Sequence, residues 1–122
     1  MKQQNARQKK WMEDIADWAA NNIEWLYGGE WTGAHFQLHH VLGRAAKHNK
    51  TEIGHWFILP VPIELHDVNS NHRLNVTHHK NAFKEEYGTQ SELFEIMVAS
   101  MDAHGYDVLP MSNYVACLDT RA

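Results

Sequence analysis

Two adjacent imidazoles, His39 and His40, close an alternating segment that runs Ala34-His-Phe-Gln-Leu-His-His-Val-Leu42. Neutral imidazole is the commonest metal ligand, and it titrates near neutrality. On a strand, neighbouring side chains point to opposite faces. Near a strand end, one imidazole of such a pair can hold a cation while the next reaches into the adjoining cleft. A cation that stabilises charge on phosphoryl oxygens, beside an imidazole that takes a proton from water, is a hydrolytic arrangement. On these residues alone, a pair of structural histidines satisfied by their surroundings is the alternative.

The pair is not isolated. The chain holds 10 His, among them His48, His55, His66, His72, His78 and His79, with Asp67 beside His66, against a single cysteine, Cys117. One cysteine excludes a disulfide framework, a cysteine zinc ribbon, a cysteine-ligated iron–sulfur cluster and a CxxC redox site. There is no Gly-x-x-x-x-Gly-Lys, no Gly-x-Gly-x-x-Gly, no His-Glu-x-x-His and no His-x-Glu with Pro-Cys-x-x-Cys. Phosphate-loop NTP hydrolysis, hydride transfer, zincin proteolysis and zinc deamination therefore lack their motifs.

The elements that must position these residues follow from pattern. Residues 3–26 predict a helix with Trp11, Ile15, Trp18, Asn22, Trp25 and Leu26 on one stripe, stopped by Gly28-Gly29. Residues 34–42 predict a strand ending at the histidine pair, and 43–54 a polar, basic loop. Trp56 to Leu59 mark a second strand over 55–61, ended by Pro60 and Pro62, with a short helix over Ile63–Val68. Residues 69–76 read as loop, and Thr77 as the cap of a helix over 78–87 that stops at Gly88. Thr89-Gln-Ser-Glu92 is a capping-box pattern. It opens a helix to about Ala103 with Leu93, Ile96, Met97, Ser100 and Met101 on one stripe, closed by Gly105. The expected class is α+β: two strands with one basic loop between them, flanked by helices.

At 122 residues, 43% hydrophobic and 21% charged, the chain has the composition of one globular domain with a core of its own. The longest apolar run, Trp56 to Val61, is far too short to span a bilayer, and no signal-peptide core follows Met1. A cytoplasmic, non-membrane protein is the expectation. The formal net charge of -4 is unevenly spread. Residues 1–50 carry seven Lys/Arg against five Asp/Glu, 51–84 three of each, and 85–122 one Arg against seven acids. An anionic partner should meet the first two-thirds of the chain. Arg44, Lys47, His48 and Lys50, in the loop after the histidine pair, are the expected contacts to a DNA backbone. No element reads as a base-reading helix.

The ordered set His39-His40-Val-Leu-Gly43, Ile53-Gly-His55, Phe57-Ile-Leu-Pro-Val61, Leu65-His-Asp67 and Phe83-Lys-Glu-Glu-Tyr-Gly88 resembles the HNH endonucleases, whose core is the ββα-metal fold. It is similar in particular to small phage and prophage recombination-associated nucleases of the Ref-like type. The resemblance covers about residues 38–95. It implies that His40 is the general base and His39 a metal ligand. It places His55 where an asparagine usually orients the base, and it makes His66 the first helix-borne ligand and His72 the second. Asp67 is a reserve ligand suited to hard cations. Relatives often carry a cysteine before the histidine-rich turn, where this chain has Pro62, so the ligands would be imidazole and carboxylate without thiolate.

Length and pattern together predict a single domain over 1–122: an N-terminal helix in 1–29, C-terminal helices in 78–104 and a tail in 105–122, around the HNH-like core that the resemblance implies in 34–80. The resemblance also implies a divalent metal ion (Mg, Mn or Zn), DNA as substrate, and a recombinase or other phage or host protein as a candidate partner. The Trp-rich first helix offers a face for a homodimer. The rival expectation is a non-catalytic, histidine-rich, metal-stabilised module that binds DNA or protein.

Overall fold

The computed structural model describes residues 5–48 and 51–112. Helix α1 (Ala6–Ala19) starts at Asn5, whose side chain accepts from the Gln8 N–H at 2.8 Å while Gln8 Oε1 accepts from the Asn5 N–H at 3.0 Å. This reciprocal box satisfies two backbone donors at the helix start. Trp11, Ile15, Trp18 and Ala19 are buried along it.

The one helix expected over 3–26 is two. The N–H groups of Asn21 and Asn22 reach back only three residues, to Trp18 and Ala19, and Asn22 Nδ2 donates to the Trp18 carbonyl at 2.7 Å. An asparagine side chain competes here for a carbonyl that a continuing helix would use. Helix α2 (Ile23–Tyr27) therefore restarts in a new phase, burying Ile23, Leu26 and Tyr27. Trp25, expected on the buried stripe, is 56% exposed and meets Trp18 edge-on. Gly28, at φ +105°, ends α2 where the sequence predicts a stop.

Strands β1 (Phe36–His40) and β4 (Ile58–Pro62) pair antiparallel, with Phe36 opposite Pro62 and His40 opposite Ile58. Bonds from the Val41 N–H to the Phe57 carbonyl and from the Ile63 N–H to the His35 carbonyl prolong the pairing at both ends. The two expected strands are thus partners, and the second is displaced from 55–61. Residues 54–56 form a 3₁₀ turn, and β4 contains both prolines that were expected to end it. The reason lies in the free edge of a two-stranded sheet. A residue's nitrogen and carbonyl point to the same side of an antiparallel strand. The Pro60 carbonyl accepts from the Tyr27 hydroxyl at 2.6 Å, away from β1, so the missing N–H costs no ladder bond.

The segment between these strands is not wholly loop. It contains a second small hairpin, β2 (Lys47–His48) with β3 (Thr51–Glu52), Lys47 opposite Glu52. Lys50, Cys117 and the end of the expected tail, 113–122, lie outside the described residues.

Helix α3 (Ile63–His66) follows β4 directly and packs on both β1 and β4; it is two residues shorter than expected. Helix α4 (Lys80–Tyr87) begins two residues later than expected, and Thr77 is not its cap. Asn75 Oδ1 instead takes the N–H groups of Thr77 and His78. Helix α5 (Gln90–Ala103) opens with the predicted capping box, Thr89 Oγ1 accepting from the Glu92 N–H at 3.1 Å and Glu92 Oε1 from the Thr89 N–H at 3.3 Å. It buries Leu93, Phe94, Met97 and Met101, while Ile96, expected on that stripe, is 46% exposed. Ser100 Oγ accepts from Trp18 Nε1 at 3.1 Å, which ties α5 to α1. Helix α6 (Leu109–Ser112) adds Met111 to the core.

The result is a small α+β protein: α1, α2 and α5 pack against β4, and α3 against both strands of the main hairpin. All five residues of β4 are buried, so the hairpin that carries His39 and His40 is anchored in the core. Among the described residues no helix is long and apolar enough to cross a membrane.

Candidate active site

Gln37 and His39 stand two residues apart on β1 and so share one face, with His40 on the other. Helix α3 brings His66 to the Gln37–His39 face. His66 Nδ1 lies 2.6 Å from Gln37 Oε1, His39 Nε2 lies 2.9 Å from Gln90 Oε1, and His66 Nε2 lies 3.1 Å from His39 Nδ1. An amide oxygen only accepts, so each outer ring nitrogen donates its N–H to a glutamine. A neutral imidazole has one N–H. With the glutamine amides oriented in this way, the inner nitrogens, His39 Nδ1 and His66 Nε2, present lone pairs to one another.

Two facing lone pairs repel unless a proton or a cation lies between them. Burial pushes the proton affinity of both rings below the ordinary imidazole value, although the Gln90 bond partly counters this at His39 and Asp67 at His66. The pair therefore takes up a proton less readily than free imidazoles do, and two facing lone pairs are a donor set that suits a divalent cation. Metal-ligating histidines typically donate their second N–H to a carbonyl or carboxylate, which fixes the tautomer. Here the Gln37 and Gln90 side-chain oxygens accept the corresponding N–H groups of His66 and His39. The separation also fits: two ligands at about 2.1 Å lie about 3.0 Å apart when cis on an octahedral ion and about 3.4 Å apart on a tetrahedral one.

On the opposite side, His40 Nε2 lies 3.1 Å from Nδ1 of the buried His55, ring centroids 5.1 Å apart. Gly54 makes this contact reachable. A Cβ at position 54 would fall 2.5 Å from the Arg44 carbonyl oxygen and 2.7 Å from its carbon, so only glycine lets the turn before His55 lie against the backbone that follows β1. Burial lowers the His40 pKa to about 4, helped by His55 and by the positive charge of Arg44.

The structure thus brings together His39 with His66 and His40 with His55. It does not bring His72 or Asp67 to either pair. His72 stacks at a tilt on Trp31 and accepts from the Leu74 N–H at 3.1 Å, while Asp67 Oδ1 accepts from the Asn69 N–H at 2.9 Å. Among the described residues no group of three or more His, Cys, Asp or Glu is placed to hold a metal ion. Arg44 is exposed just after β1, Lys47 and His48 form β2, and Lys50 lies outside the described residues. Sequence reasoning missed both glutamines. Gln37 was available from its i, i+2 relation to His39. Gln90, 51 residues from His39, left no signal beyond its place after the Thr89 cap.

The lowered proton affinities of His39, His40 and His66 predict a pH dependence of stability. Each ring holds a proton less readily in the folded chain than at its ordinary value of 6.5, so unfolding below that value takes up protons. The unfolded chain binds more protons in that window, so this stability is complete above about pH 6.5 and is lost as pH falls toward 4. Urea midpoints measured with a chelator present should decline from pH 7 to pH 4.5, and His40→Asn should flatten the decline. A variant slope equal to the wild-type slope would refute the assignment for His40.

Comparison with protein-family models, curated proteins and solved structures returned no match to this chain.

Proposed function

We propose that the chain is a metal-dependent, HNH-type DNA endonuclease, with β1, β4 and α3 as its ββα-metal core. The observation that carries this reading is the pair of inner nitrogens of His39 and His66, aimed at one another at 3.1 Å with their outer nitrogens tied to glutamine oxygens. Two imidazoles leave most of a cation's coordination positions to water and phosphate, as in catalytic rather than closed structural sites. Mg²⁺, Mn²⁺ and Zn²⁺ are the candidates. A bound cation supplies Lewis-acid stabilisation of charge on the phosphoryl and leaving oxygens.

The chain's own residues do the rest. His40 Nε2 donates its N–H to His55 Nδ1, which leaves a lone pair on His40 Nδ1 to take a proton from the attacking water. His55, buried, holds the ring in that orientation. An anionic phosphate in the site raises the proton affinity of His40 back toward neutrality, because opposite charge favours the imidazolium. Arg44, close enough to depress His40, and Lys47 are the backbone contacts on the β1 side. The resemblance of the ordered residues 38–95 to phage recombination nucleases supports a role in DNA recombination, with a recombinase as candidate partner.

The test is a nicking assay on supercoiled plasmid and on single-stranded oligonucleotide, with each of the three cations and with chelator, beside metal analysis of the protein. Cation-dependent nicking is expected, lost together with bound metal in the His39→Ala/His66→Ala double variant. Metal-dependent DNA binding with no nicking under any of the three cations would instead assign the chain to the non-catalytic binding modules.

A further inference from the structure

Beside the His39–His66 pair lies a cleft of about 340 Å³ whose walls include Lys80, Asn81 and Lys84 of α4, Thr89 and Gln90 at the start of α5, and Val41 just after β1. That size is at the lower end for small-ligand sites, about 300–1,000 Å³. Two features make it more than a surface dent. Lys80 and Lys84 are four residues apart, hence on one helix face, and among the described residues neither ammonium is in an ion pair. Gln90 is both a wall of the cleft and the hydrogen-bond partner of His39, so the cleft adjoins the candidate metal pair. Glu92, whose carboxylate lies beside Gly88 at the cleft edge, is engaged on the Thr89 N–H. With the Glu92 carboxylate counted against Lys80 and Lys84, the cleft keeps a net positive charge within a chain of net charge -4.

We infer that this cleft seats a backbone phosphodiester of DNA next to the one that is cut, with Lys80 and Lys84 as its two cations. The inference rests on the endonuclease reading for its ligand but not for its test. Lysines act as point charges toward phosphate, so the site sets position along the strand and reads no base. It adds DNA contacts on α4 to those proposed for Arg44 and Lys47 after β1.

Binding of a fluorescent oligonucleotide by the wild-type chain, in chelator so that no cleavage intervenes, is measured across a salt series. The Lys80→Ala/Lys84→Ala variant, both positions exposed, should keep the wild-type melting temperature. Its slope of log affinity against log salt should fall by about 1.8 on duplex or about 1.4 on single strand, the value for two lost phosphate contacts. Lys9→Ala/Lys10→Ala removes the same charge from α1 and should leave the slope unchanged. The inference is overturned if the α4 variant keeps the wild-type slope, if the α1 variant loses as much, or if the wild-type chain binds no DNA. If the α4 slope falls as expected but no cation supports nicking, the phosphate site stands and the endonuclease reading fails.

Discussion

Replacing His40 with alanine is expected to lower DNA cleavage about 10²–10⁴-fold, the contribution typical of a positioned general base, while leaving the cation bound and the fold intact. The separation of the two histidine pairs makes this outcome specific. His39 and His66 face each other on one side of β1, and His40 meets His55 on the other, so removing His40 deletes neither of the two proposed metal ligands. His40 is also half-buried rather than part of the core, which keeps the stability cost small. His55→Asn should retain more activity than His55→Ala, because an amide oxygen can still accept from His40 Nε2. Rates come from single-turnover cleavage and cation content from elemental analysis. If His40→Ala cuts at the wild-type rate, or loses its cation, the roles assigned to the two pairs are wrong.

Much of this site was legible in the order of residues because its strands are local in pattern. Alternation through Phe36, Leu38 and His40 marked β1, and the run from Trp56 to Leu59 marked its partner, although β4 begins later and carries both prolines. The Thr89–Glu92 box was readable because four residues specify it. What escaped depends on contacts distant in sequence or on side chains that substitute for backbone. The phase shift between α1 and α2 follows from one asparagine capturing the Trp18 carbonyl, which the hydrophobic stripe conceals. The pairing of His66 with His39 needs α3 to fold back over β1, across 27 residues. His72, assigned by resemblance to the same centre, sits beyond a turn that directs it to Trp31. Histidine spacing alone could not separate these cases, since the loop between residues 67 and 79 decides where His72 lies.

That loop is governed by Asn75, and its replacement should cause the largest loss of stability from any single polar side chain among the described residues. Asn75 is completely buried, and all four of its amide positions are used. Nδ2 donates to the carbonyls of Glu64 (3.2 Å) and Asp67 (2.9 Å), and Oδ1 accepts from the N–H groups of Thr77 (2.9 Å) and His78 (3.1 Å). One side chain thus joins α3, which carries His66, to the approach to α4, which carries Lys80 and Lys84. Asn75→Ala removes all four bonds and leaves a cavity. At about 1 kcal/mol net for each bond, the cost is roughly 3–4 kcal/mol, a large share of the 5–15 kcal/mol that typically holds a domain folded. Asn75→Asp separates hydrogen bonding from packing, because it keeps the volume but turns a carboxylate oxygen toward the Glu64 and Asp67 carbonyls. It should destabilise at least as much as alanine, as read from urea midpoints. In either variant that remains folded at low temperature, cation affinity should fall as well, since His66 loses the loop that fixes α3 against β1. An Asn75→Asp midpoint equal to the wild type would mean that the loop is held by other contacts, such as the Val76 N–H on the Leu65 carbonyl at 2.7 Å, and that Asn75 does not position His66.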